Sequence, residues 1–232
     1  MTKKHLLVFL LALAFASTAL LTGCGSAAAY RLAGVHNDQT LQAAQSDYNK
    51  ARAGAAAKLT DTAKAGSQML GAAKQLQEHP QEESTSKLED ASDGYGTSVA
   101  KAVSQREVYA DGLEQLREEV QAAKERWSDI VQKMGDATLK NEHQRIMDRR
   151  LRNLERKLQA AERGLTAYDA ALGRAKDVQL VAESFRQDAL LGRIGDRIDS
   201  FAGEVKQANA ELVRAADVLL ANLQTDDAGA GS

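Results

Sequence analysis

Apolar residues recur in alternating steps of three and four along most of this chain. The clearest run is Leu88, Ala91, Tyr95, Val99, Ala102, Tyr109, Leu113, Leu116, Val120, Ala123, Trp127, Ile130 and Met134, with Arg106 at the one charged step. Such a stripe stays on one side of an α-helix, and about six heptads of it specify a long helix that must bury one face. At 1.5 Å per residue this helix is roughly 70 Å long. A second run follows: Met147, Leu151, Leu154, Leu158, Ala161, Leu165, Tyr168, Leu172 and Ala175, then Ala182, Phe185 and Ala189. The sequence has one proline, Pro80, so forced helix breaks are few. Aromatic residues make up 4% and charged residues 27%, the balance of long helices and not of sheets. The predicted fold is all-α: an elongated antiparallel coiled-coil-like bundle of three to four long helices, after a cleaved signal peptide.

The boundaries follow from caps and breakers. A first helix starts at Asn37 or Asp38, either a plausible N-cap, and ends near His79-Pro80. Its seam is rich in Ala and Gly, with a stutter at Ala51, Ala55 and Leu59. It is therefore expected to be the least firmly packed helix. Residues 81–85 read as a loop, and Ser86-Lys87-Leu88-Glu89 as a capping box opening helix two. Gly135 suits the left-handed position after that helix, and Asp136 or Thr138 can cap helix three. Gly192 and Gly195 weaken helix three. Asp196 is expected to cap a fourth helix carrying Ile198, Phe201, Val205, Ala208, Leu212, Ala215 and Leu219. The predicted organisation is a leader over 1–23, a tether over 24–36, a bundle over 37–223 and a disordered polar tail over 224–232.

Helices two and three carry a register test. In an antiparallel hairpin, residues at one level share a constant sum of numbers. Trp127 with Met147, Ala123 with Leu151, Val120 with Leu154, Leu116 with Leu158, Leu113 with Ala161 and Tyr109 with Leu165 each add to 274. Two seams in phase across a short turn predict that this hairpin is the backbone of the fold. The seams can also pair between chains, which leaves homo-oligomerisation open.

The amino terminus points to compartment. Lys3 and Lys4 precede an apolar run from Leu6 to Leu21. A basic start and an apolar core describe a secretory leader, and the run is shorter than the roughly 20 residues needed to span a bilayer. Leu21-Thr22-Gly23-Cys24 then looks like a bacterial lipobox and contains the only cysteine. That likeness implies diacylglyceryl attachment to Cys24, cleavage after Gly23 and acylation of the new amino terminus. Several acyl chains on one residue anchor far more firmly than one. Ala27-Ala28-Ala29 offers a rival site for ordinary cleavage. Gly25 follows the cysteine where an aspartate would retain an enteric lipoprotein in the inner membrane, which implies an outer-membrane anchor with the body facing the periplasm.

The expected partners are thus a membrane, through the lipid, and unidentified envelope proteins. A net charge of -2 gives no global field for nucleic acid. No cofactor, metal site or catalytic residue is predicted. Glu142-His143 lacks metal-ligand spacing, and no histidine (His5, His36, His79, His143) lies near Cys24 in sequence. The nucleotide-loop glycine patterns and the serine nucleophile elbow are absent. The chain does not read as an enzyme.

One charged pattern stands out. Arg145, Arg149, Arg152, Arg156 and Arg163 each precede a seam residue by two, about 200° around the helix, and so face away from the seam. The row suits phosphate or carboxylate ligands, such as lipid headgroups or peptidoglycan peptides. The structural reading is favoured here, because charge rows on long helices are usually solvated or paired faces: Asp129, Glu125, Glu118 and Asp111 lie level with Arg145, Arg149, Arg156 and Arg163, and the two rows could set register through a third helix, since both point away from the shared seam. Trp127 is expected to be packed core.

The leader cysteine at Leu21 to Cys24, Tyr30, Gly34-Val35-His36, Trp127 and Asp136-Ala137-Thr138-Leu139 together resemble an uncharacterised family of bacterial helical lipoproteins that carry a domain of unknown function. The resemblance runs from about Cys24 to Leu223. It implies an envelope location and a helical body, and no activity. The chain departs from the family at Asn37-Asp38, where members tend to be basic, and near Leu191 to Ile198, where they are Asn-rich.

Overall fold

The computed structural model describes residues 38–190, 195 and 197–227; the side chains of 190 and 222–227 are outside that description. It contains four helices: α1 (Gln39–Glu78), α2 (Glu82–Gln132), α3 (Ala137–Leu190) and α4 (Ile198–Asp227). No strand occurs among the described residues. Neighbours in sequence are neighbours in space, and α1 also packs along α4, while α1 and α3 barely meet. This is an up-down-up-down bundle with the diagonal pairs held apart.

The termini follow local chemistry. Asp38 caps α1, its Oδ1 accepting from the Leu41 N–H at 3.2 Å. Pro80 ends α1, and α2 starts at once, with Glu82 and Glu83 in the first turn where acid suits the helix dipole. The expected loop over 81–85 is therefore helical, and the Ser86–Glu89 box lies inside α2. At the other end the Met134 N–H bonds the Val131 carbonyl at 3.2 Å, a tight final turn. Gly135 does not adopt the left-handed backbone expected of it. Asp136, one of the two expected caps, caps α3, accepting from the Thr138 and Leu139 N–H groups at 2.8 and 2.9 Å. The proposed Asp196 cap lies outside the described residues. α4 runs to Asp227, so residues 224–227 of the expected tail are helical.

The hairpin register holds. Tyr95, Tyr109 and Tyr168 donate to the carbonyls of Ala175, Ala161 and Ala102, pairs adding to 270. Arg106 with Asp169 and Arg186 with Glu89 add to 275, and Arg117 with Glu162 to 279. These contacts bracket 274. At the tip the seam shifts by one: Val131 is buried where Ile130 was expected, opposite buried His143, and that pair adds to 274.

The packing of α1 is a correction. It buries fifteen of its 40 residues, whereas α2 buries twelve of 51. Its alanines form two stripes, one through Ala51, Ala55 and Leu59 and another through Arg52, Ala56 and Ala63. Small side chains let the backbones close in: a Cβ on Gly112 would stand 3.3 Å from that of Ala51. Low area per residue is offset by close packing over the whole length.

Candidate functional site

Gly23 and Cys24 lie outside the described residues. The described chemistry concentrates where α1 begins beside the last two turns of α2. Asp38 is 8% exposed and collects donors: both oxygens face Arg126 Nη2 at 2.9 and 2.7 Å, and Oδ2 also faces Trp127 Nε1 at 3.2 Å. Thr40 adds its hydroxyl at 2.7 Å. Burial alone would raise the Asp38 carboxyl; hydrogen bonds from Arg126, Thr40 and the Leu41 N–H, with the Arg126 charge, outweigh it and hold it below the usual range. Arg126 also reaches Glu119 at 2.5 Å. The Arg150 guanidinium sits over the Trp127 ring, 5.3 Å from its centre, and burial lowers its proton affinity while Asp38 opposes that. Trp127 is 1% exposed, as a core residue should be.

Next to Arg150 runs the arginine row. Arg145, Arg149, Arg152, Arg156 and Arg163 are all exposed and share one outward stripe of α3. Among the described residues none of the five forms an ion pair. The carboxylates level with them go elsewhere or stay in solvent: Asp129 takes Lys133, and Glu125 takes the Gln121 amide. Among the described residues no ion pair joins the two rows, and the α3 row stands as a solvated face. Both rows face away from the seam they share, and the pair that does meet across the hairpin, Arg117 with Glu162, lies one residue before Glu118 and Arg163, nearer the seam. The hairpin thus has a basic edge along α3 and an acidic edge along α2.

Arg52 was missed by sequence reasoning. It is 4% exposed, lies 5.4 Å from the Tyr48 ring centre, and leaves Nε and Nη2 buried without a hydrogen-bond partner. A charge one step from a seam carries no signal that it will be buried. His143 was weighed as a metal ligand and as a base for Cys24, not as a core residue. It is buried, its Nδ1 is 2.8 Å from the Leu139 carbonyl, and no group of metal-ligating side chains surrounds it or any other described residue.

A groove of about 360 Å³ lies between α2 and α3, lined by Ser92, Asp93, Thr97, Gln179, Glu183 and Arg186 among others. Its arginine is tied to Glu89 at 3.4 Å and Asp93 at 3.8 Å. Ser92 Oγ is buried without a partner, and no histidine lines the groove to activate it. Comparison with protein-family models, curated proteins and solved structures returns no match.

Proposed function

We propose that this chain is a non-enzymatic lipoprotein of the bacterial cell envelope. It is anchored through acylated Cys24 after cleavage at Gly23, and its helical body serves as a spacer or as an adaptor for other envelope proteins. The observation that carries this reading is the Leu21-Thr22-Gly23-Cys24 motif directly behind a basic-apolar leader. Gly25 favours the inner leaflet of the outer membrane, with the bundle in the periplasm. The body supports the reading: no described helix is long and apolar enough to cross a membrane, and helices of 51 and 54 residues reach about 80 Å. The likeness to helical lipoproteins accords with it. Metabolic labelling with a fatty acid should mark the wild type and spare Cys24→Ala; an unlabelled wild type ends the anchor reading. Crosslinking in cells should recover protein partners, and recovering none removes the adaptor role.

A second reading is a binding module for an anionic envelope component. It is favoured by one observation: the five arginines of the α3 stripe are exposed and have no carboxylate among the described residues. Guanidinium groups held in line and left unpaired suit phosphate or carboxylate oxygens.

A further inference from the structure

We infer that the arginine stripe of α3 lies against the phospholipid headgroups of the leaflet that holds Cys24, so that the α2–α3 turn marks the membrane-proximal end of the bundle. The inference rests on the anchor reading above and gives the second reading its ligand. It follows from where the chain enters the bundle. The described fold starts at Asp38, and Asp38 is bonded to Arg126 and Trp127, near the tip of the hairpin. Trp127 lies beneath Arg150, which adjoins Arg149 in the stripe. The point where the tether joins the body and the start of the basic edge are thus two contacts apart. Cys24 precedes Asp38 by fourteen residues, a reach of at most about 50 Å. The opposite end of the bundle, at Pro80, lies roughly 60 Å further along α1.

The stripe is open to such a surface. Leu219 packs at Gly164, where a Cβ would stand 3.0 Å from its Cδ2. Carried on to its last residue, Asp227, antiparallel α4 ends level with about residue 156 of α3. Arg145, Arg149 and Arg152 therefore lie beyond α4. From Arg145 to Arg163 the row covers about 27 Å at steps of roughly 5–10 Å, a spacing that lets separate headgroup phosphates each take a guanidinium. The acidic row of α2, with Glu118, Glu125 and Asp129 exposed, lies on the neighbouring helix and not on the stripe itself. A body with one basic and one acidic edge has a preferred side toward an anionic leaflet.

The test uses the intact acylated chain in phosphatidylcholine vesicles with and without phosphatidylglycerol. A fluorophore goes on Gln159→Cys, beside the stripe, or on Gln77→Cys at the far end. Headgroup-linked nitroxides report proximity, and mass spectrometry of the Cys24 peptide reports acylation. The expected result is quenching at 159 at least about twofold stronger than at 77 in phosphatidylglycerol vesicles, lost near 1 M salt, where charge is screened beyond about 3 Å. It should vanish in Arg149→Gln/Arg152→Gln/Arg156→Gln with helicity unchanged. Equal quenching at both sites on an acylated chain, or quenching that survives the triple substitution, overturns the inference. An unacylated Cys24 with arginine-dependent quenching at 159 overturns the anchor and retains the stripe as a membrane contact. Arginine-dependent pelleting with isolated cell-wall sacculi, in place of lipid quenching, overturns the assignment to the bilayer.

Discussion

At the middle of the bundle Tyr48, Tyr109 and Tyr168 meet, their rings 5.7 and 6.5 Å apart in succession. Tyr109 and Tyr168 donate to backbone carbonyls across the hairpin, and burial pushes both phenols well above their usual range. At the hairpin end Trp127 occupies the same seam. Its indole meets a carboxylate, its face meets a guanidinium, and one turn away the arginines stand in solvent. In the middle the phenols close on backbone carbonyls, and the Arg52 guanidinium is held out of solvent against the Tyr48 ring. The end holds charge that the fold does not consume, and binding surfaces are made of such charge. Substitutions should separate the two regions by what they damage.

The largest effect is expected at the end layer. Trp127→Ala removes a fully buried indole and should lower stability by about 3–5 kcal/mol in urea titration. A loss near 1 kcal/mol would mean that the tip is loosely packed and the contrast with the middle is false. In the middle, Gly164→Ala should cost about 1–3 kcal/mol, because its Cβ would stand 2.9 Å from the Tyr109 hydroxyl and 3.0 Å from Leu219. A neutral result would show that the tyrosine layer can shift.

Asp38 gives a smaller effect with a pH signature. Its folded pKa lies below the reference value of 3.8. Its contribution is therefore present above that value and is lost as pH falls through the folded pKa. Asp38→Asn should be less stable than wild type by about 1–3 kcal/mol at pH 6, and the gap should narrow below about pH 3.8. A gap constant from pH 6 to pH 2 would mean that charge at Asp38 contributes nothing.

How far the sequence foretold these regions depended on what periodicity can carry. Long single stripes placed α2 and α3 and their register, because Leu, Tyr and Trp seldom keep heptad spacing except on a helix face that is buried. The second stripe of α1, through Ala56 and Ala63, was hidden because alanine is equally at home in solvent on a helix. Asp38 was legible as a cap, but its bonds to Arg126 and Trp127 join residues 88 and 89 positions apart and leave no local trace. The S-x-x-E box misled because Ser and Glu are also ordinary helix-surface residues, and the chain needed no loop after Pro80. Level charges on α2 and α3 suggested a register device because a sequence sum gives height along a hairpin; the outward facing of the arginine row was legible from its offset to the seam, but whether another helix would cover it was not.

The contrast between a closed middle and an open end turns on whether the arginine stripe stabilises the fold. Thermal unfolding of Arg149→Gln/Arg152→Gln/Arg156→Gln measures this directly. With no carboxylate to lose, the variant should melt within about 1 °C of wild type. A drop of about 4 °C or more, which is 1 kcal/mol or more at this chain length, would show the row to be structural and contradict the account.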